Sequence, residues 1–292
     1  MKHLLITCSV LAALSTGPQS VRGDEPKVAA AIRTFHIGNS LTDTLDGWLE
    51  PVSKSAGRKL EFHRFTIPGA PTDWLWEHPG TDGDGKYKEA FGKLAPIDHL
   101  FTQPFAGHDR SIANEAEFSG KFFDLCRGTS PKVQCWLYVQ WPPVKFDDRW
   151  SNGEGSAAPL KLKAAKTWQE AAANHLKYTE AVREKLDAPG KSVRIVPAGA
   201  ALAELKSEID AGKFPGMTDF FAETFDDDIH LTAKGRYLVS LVHDACLFGA
   251  SPDGKLDPLK SGLTPEQIRR FQTIAWGVVK DYRWAGIAKG EK

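Results

Sequence analysis

The segment Val133-Gln134-Cys135-Trp136-Leu137-Tyr138-Val139 constrains this chain more than any other, because it is apolar or β-prone throughout and offers no polar face. A strand of that kind must be covered on both sides, as an interior strand of a parallel sheet flanked by helices is. The rest of the chain supplies such a sheet. Residues 33–37 read as a first strand and 60–67 as a second, ended by the turn Pro68-Gly69-Ala70-Pro71; 97–102 read as a third, 133–139 as the fourth and 193–196 as a fifth. Helical patterns fall between them at 45–56, 112–126, a long stretch opened by Pro159 and stopped by Pro189-Gly190, and 198–209. In the long stretch Trp168, Ala172, Leu176, Thr179, Val182 and Leu186 recur at three or four, which makes one face core. Strands alternating with helices give an α/β fold with a mostly parallel five-stranded sheet and helices on both faces. Thr232 can cap a helix running to about Phe248. Thr264, Pro265 and Gln267 form a helix start, with Leu263 against Ile268 as a staple, for a packing helix over about 264–282. There is no internal repeat and no sign of a second core.

The N-terminus predicts export. Lys2 and His3 precede an apolar stretch at 4–14, small residues follow, and Val21-Arg22-Gly23 can end a cleaved signal over residues 1–23. The stretch is too short to span a bilayer, which needs about 20 apolar residues. A single domain over 24–292 remains, placed in the periplasm or outside the cell, with no later segment able to cross a membrane. The 37 basic and 37 acidic residues of the full chain cancel, which argues against a nucleic acid or an anionic membrane surface as partner. Cys126, Cys135 and Cys246 are an odd set, so no complete disulfide framework exists; Cys126 and Cys135 can pair in an oxidising compartment, but buried free thiols suit their apolar surroundings better.

In parallel sheets of this kind reactive residues gather beyond the carboxyl ends of the strands. Ser40 stands just past the first strand, Gly69 past the second and Gln103 past the third. Roughly 190 residues after Ser40, Asp227-Asp228-Ile229-His230 puts an acid three positions before a histidine. A hydroxyl that attacks an acyl carbon needs a base for its proton and a carboxylate to orient that base, and these segments hold all three. Spacing alone selects Asp227 over Asp226 and Asp228. The missing second glycine of Gly-x-Ser-x-Gly counts against an ordinary nucleophile elbow. Asp82-Gly83-Asp84-Gly85 lacks the further oxygen ligands of a calcium loop, His36 lies inside the first strand as a core residue, and His63, His78 and His99 have no acid or ligand at metal spacing. No metal and no organic cofactor is expected.

Gly38-Asn39-Ser40-Leu41 and Asp227-x-x-His230-Leu231-Thr232 together resemble the first and last blocks of the SGNH (GDSL-like) esterases. The resemblance implies a three-layer α/β/α flavodoxin-like fold, Ser40 as nucleophile, His230 as base and Asp227 as its orienting acid. It also implies an oxyanion hole made of the Ser40 and Gly69 amides and a side-chain amide after the third strand. The family's Gly-x-Asn-Asp block is absent; Gln103 occupies its place and carries the same donor on a longer arm.

The expected reaction is hydrolysis of an acyl ester, with an O-acetyl ester on a carbohydrate as first choice. Aromatic side chains stack on sugar rings, and Trp74, Trp76, Trp141 and Trp150 fall in loops near the strand ends. Asn39, Trp74, Trp76, His108 and Trp141 are the expected substrate-lining residues. A lipid or short-chain ester is the alternative substrate, and a glycan-binding protein without catalysis the alternative class. Oligomeric state is not legible.

Overall fold

The computed structural model describes residues 31–80, 85–106, 111–146, 160, 162–253 and 261–287. The export signal expected over 1–23, His108, Trp150 and most of the Asp82–Gly85 turn lie outside the described residues.

Five strands form one wholly parallel sheet: β1 (Ile32–Gly38), β2 (Leu60–Thr66), β3 (His99–Thr102), β4 (Gln134–Tyr138) and β5 (Val193–Val196), in the order β2-β1-β3-β4-β5. This is the flavodoxin-like doubly wound order, whose crossovers reverse beside β1. In register, Gly38 stands opposite Thr66 and Ile37 opposite Thr102, so β1, β2 and β3 end together.

Alternation along each strand divides the core in two. Phe35, Ile37, Leu100, Cys135, Leu137, Val193 and Ile195 face one layer, and Phe101, Trp136, Tyr138 and Val196 face the other. The first layer holds α3 (Tyr87–Lys93) and α4 (Ile112–Thr129); the second holds α1 (Leu49–Ser55), α6 (Ala198–Asp210), α8 (Ala233–Phe248) and α9 (Pro265–Asp281). The long helix α5 (Trp168–Leu186) serves both, Trp168 and Ala172 on one side and Tyr178 and Val182 on the other. Two short helices complete the described set, α2 (Thr72–Glu77) directly after β2 and α7 (Phe220–Thr224).

Local chemistry fixes several boundaries differently from the sequence expectations. α5 starts at Trp168, because Thr167 and Glu170 form a reciprocal capping box, and not at Pro159. The helix expected over 45–56 is divided into a 3₁₀ turn at Asp43–Leu45 and α1, with Gly47 between them at φ 69°. The capping box of Thr264 and Gln267 is present at α9. Thr232 stands at the start of α8, but its hydroxyl donates to the Glu223 carbonyl (2.8 Å) and accepts no amide of the helix.

Both sheet edges are occupied. The Phe62 amide on β2 donates to Glu50 Oε1 (2.9 Å), and the Ile195 amide on β5 donates to the Trp284 carbonyl (2.9 Å). Cys126, Cys135 and Cys246 are buried free thiols, and burial pushes those of Cys126 and Cys135 up to about 12. No described helix is long and apolar enough to cross a membrane.

Under the α8 side of the sheet lie two buried histidines, His36 and His243, and a half-buried one, His99. His36 stacks on Phe101 (4.1 Å between centroids) and stands 5.9 Å from His243, while His99 accepts the Trp136 indole N–H (2.9 Å). Burial lowers all three, His99 and His243 to about 4; His36 is lowered further by its two histidine neighbours. They are therefore neutral in the folded chain at pH values where the unfolded chain, titrating near 6.5, has already taken up protons. Their contribution to stability is complete above about 6.5 and is lost as pH falls toward the lowered values. Buried carboxyls such as Asp244, raised to about 6, act with the opposite sign, so a comparison of variants isolates the histidine term. In His36→Phe, denaturation measured between pH 7.5 and 4.5 should fall less steeply below about 6.5 than in the wild type, by up to about 1.4 kcal/mol per pH unit. Parallel curves would remove His36 as a source of acid sensitivity.

Candidate active site

The turn leaving β1 is held by its own side chains. Asn39 Oδ1 accepts the Leu41 amide (3.0 Å) and the Gln103 Nε2 amide (2.9 Å), and the Thr42 hydroxyl donates to Gln103 Oε1. The Gln103 main chain is fixed as well, its N–H donating to the Ile37 carbonyl (3.0 Å) as an extension of the β1/β3 pairing. Gln103 thus lies across Gly38, where a Cβ would collide with Thr42 Oγ1 and meet Gln103 Oε1 at 2.6 Å. Only glycine leaves room for that crossing. Ser40, next along the turn, is half-buried.

The acid and the histidine come from a tight hairpin. Phe225 and Leu231 bridge antiparallel, the Asp226 amide donates to the His230 carbonyl (2.9 Å), and the Thr232 amide donates to the Thr224 carbonyl (2.9 Å). Inside the turn Asp227 Oδ1 accepts the Ile229 and His230 amides (2.8 and 2.7 Å), which leaves Oδ2 free to meet His230 Nδ1 at 2.7 Å. Those two amides first, then the imidazole, hold the Asp227 carboxyl down at about 2. Its side chain is 56% exposed, so directed hydrogen bonds and not burial produce the effect. A carboxylate can only accept, which assigns the proton to Nδ1 and leaves Nε2 as an acceptor. Nε2 stands 3.0 Å from Ser40 Oγ. The arrangement can therefore draw a proton from the serine and stabilise the imidazolium that results.

The loop after β4 braces this hairpin. Asp228 accepts the Lys145 amide on its side chain (2.9 Å) and the Val144 amide on its carbonyl (2.7 Å), and the Trp141 indole donates to the Ile229 carbonyl (2.9 Å). The three aspartates are thus separated by role: Asp227 on the histidine, Asp228 on the loop, and Asp226 in the hairpin ladder through its amide.

Gly69 follows β2 at φ 70°, a conformation that favours glycine. Among the described residues neither its N–H nor that of Ser40 has an acceptor, and the second Nε2 hydrogen of Gln103 has none either. Three donors are thus left over just past the ends of β1, β2 and β3.

The expected substrate-lining residues separate sharply. Trp74 is 46% exposed and stacks on His78 (3.8 Å, 13°), a pair whose Trp-x-x-x-His spacing on one helix face was the available sequence signal. Trp76 instead packs edge-on against Phe122 (5.1 Å). Against the expectation that they face substrate, Trp141 is buried and spends its indole N–H on the hairpin, and Asn39 is buried as the spacer of the Ser40 turn. The Trp141 indole N–H and the Asn39 Oδ1 are thus both engaged inside the protein. Thr42, which fixes Gln103, was not distinguishable in the sequence from any other turn threonine. Among the described residues no group of three His, Cys, Asp or Glu side chains is placed to hold a metal ion.

No protein-family model matches the chain, and no curated protein does. Among solved structures, a DUF4886 family protein from Bacteroides uniformis ATCC 8492 is similar at a TM-score of 0.63 and 13% identity, covering 86% of this chain and 96% of that one, and so shares the fold. Weaker likenesses are to SGNH- and GDSL-type hydrolases. The carbohydrate acetylesterase Est24 from Sinorhizobium meliloti gives a TM-score of 0.43 at 13% identity, over 74% of this chain and 98% of that one. A member of the lipolytic protein G-D-S-L family from Veillonella parvula DSM 2008 gives 0.40 at 12% identity, over 74% and 96%.

The crowding at Gly38 yields a stability test. Gly38→Ala should cost about 1–3 kcal/mol in chemical denaturation through overpacking. Gly128→Ala, inside α4 with nothing within 4 Å of the added carbon, should be neutral or stabilising by up to about 1 kcal/mol. Equal effects at the two sites would mean that Gln103 does not fill the space over Gly38.

Proposed function

We propose that the protein is a serine ester hydrolase, acting through Ser40, His230 and Asp227 by way of an acyl-enzyme. The observation that carries this reading is the continuous chain Ser40 Oγ, His230 Nε2, His230 Nδ1, Asp227 Oδ2, at 3.0 and 2.7 Å. His230 takes the hydroxyl proton as Ser40 Oγ bonds to the acyl carbon, and the carbonyl oxygen becomes an oxyanion. The Ser40 and Gly69 amides and the Gln103 side chain are the donors assigned to it. Collapse breaks the bond to the alcohol, which leaves with the proton from His230; water then repeats the sequence and frees the acid. Removing one donor of such a hole typically costs roughly a hundred- to a thousandfold in turnover.

Ser40→Ala should abolish labelling by a fluorophosphonate probe and lower turnover of nitrophenyl acetate by several orders of magnitude. The triple variant lacking Ser40, His230 and Asp227 should lose about as much as Ser40→Ala alone, because the three act as a unit. Undiminished hydrolysis by Ser40→Ala, with the protein folded, would sink the assignment.

For the substrate we propose an acylated carbohydrate met outside the cytoplasm after export of the chain as a single domain. The exposed Trp74–His78 stack favours it, since a ring presented flat at the surface suits a sugar face and contributes on the order of 1 kcal/mol. Trp74→Ala should then weaken kcat/KM on an acetylated oligosaccharide about fivefold while leaving nitrophenyl acetate unchanged. Equal behaviour on both esters returns the choice to lipid or short-chain esters.

A further inference from the structure

Glu115 is fully buried in the first turn of α4, although an acid at that depth is costly unless bonded. It accepts the Thr72 hydroxyl on one oxygen, and among the described residues its other oxygen has no hydrogen-bond partner. Burial, the largest influence, raises that carboxyl to about 7, with Asp73 pushing the same way. The reaction described above makes no use of it.

What Glu115 touches is informative. Thr72 opens α2 directly after the Pro68-Gly69-Ala70-Pro71 turn. The turn has few other ties: its two prolines lack an N–H, and the Ala70 amide closes locally on the Ile67 carbonyl (3.1 Å). The segment after β3 is itself fastened, Gln103 N–H to the Ile37 carbonyl (3.0 Å) and Ala106 N–H to Gln140 Oε1 (3.2 Å). The carboxyl therefore ties the loop carrying Gly69 to α4, and the Thr102 hydroxyl, one residue before Gln103, donates to Ser119 of the same helix (3.0 Å).

We propose that Glu115, through Thr72, is a positioning residue that sets the Gly69 turn against the Gln103–Ala106 segment, so that the Gly69 amide and the Gln103 side chain converge on the same oxygen. The inference rests on the ester-hydrolase reading, since it concerns the oxyanion donors of that site. Glu115 itself touches neither Ser40 nor substrate. Its loss lets the two loops drift apart, which weakens binding of a tetrahedral species more than binding of a planar ester.

The test is Glu115→Gln and Thr72→Val, assayed on nitrophenyl acetate and for inhibition by phenylethylboronic acid. Addition of Ser40 Oγ to boron gives a tetrahedral adduct with an oxygen in the oxyanion position. Each variant should lower kcat by about tenfold to a hundredfold, as misplacement of a catalytic group does, with KM within about twofold. The boronate inhibition constant should rise by the same factor as kcat falls. The double variant should lose no more than the worse single one. Thermal melts identify variants folded at the assay temperature; if Glu115→Gln is not, Thr72→Val, nearly the same size, decides. Folded variants with unchanged kcat, or with reduced kcat and unchanged boronate affinity, overturn the proposal. A wild type that neither hydrolyses the ester nor takes up the boronate removes the functional reading first, and this inference with it.

Discussion

The site hangs on the side-chain amide of Gln103. Its carbonyl oxygen takes the Thr42 hydroxyl and its nitrogen gives a hydrogen bond to Asn39, so both ends of the turn bearing Ser40 are fixed to the residue following β3. An amide is suited to this because it accepts and donates at once in a buried place, where an unmatched polar atom costs about 1–3 kcal/mol. The requirement propagates: Gly38 must lack a side chain, Asn39 must be an acceptor, and β1 and β3 must be adjacent and parallel. A carboxylate or a methionine at 103 could meet only part of this.

The histidine side of the site is organised independently. Its hairpin takes its register from Phe225 and Leu231 and its support from the loop after β4, not from the nucleophile turn. The two halves meet on α8, where Arg236 donates to the Thr44 and Asp43 carbonyls (3.1 and 2.7 Å) just past Ser40. A cation on the helix that follows the base thus fastens the segment that follows the nucleophile, and the Ser40–His230 distance is held from both sides.

The strands were legible in the sequence because interior parallel strands have an unmistakable composition, and the placing of Ser40, Gly69 and Gln103 at their ends followed from topology alone. Asp227 was legible by spacing, but the physical reason, that its other oxygen is saturated by two amides of its own turn, needs the folded hairpin. The tryptophans show where such reading stops. Trp74, Trp76 and Trp141 are alike in the sequence, yet one is exposed, one lies against Phe122 and one is buried beneath the hairpin. The start of α5 was misplaced because Pro159 is a conspicuous opener, whereas Thr167 and Glu170 reveal themselves only when both halves of the box are sought together. Glu115 gave no signal, since an acid in the first turn of a helix ordinarily faces water.

The two sheet margins carry a further implication. A parallel sheet of five strands ends in two rows of main-chain groups, which elsewhere serve as templates for a neighbouring chain. Here one row is interrupted by the Glu50 carboxylate on the Phe62 amide and belongs to a strand that carries Glu61 and Arg64 in ion pairs; the other is covered by the main chain at Trp284. The protections differ in kind. One is electrostatic and weakens with salt or with neutralisation of Glu50, while the other is a piece of polypeptide and is lost only if the tail beyond α9 detaches. Colloidal behaviour and fold stability therefore depend on separate residues, and a change at Glu50 can promote self-association while leaving the unfolding equilibrium almost where it was.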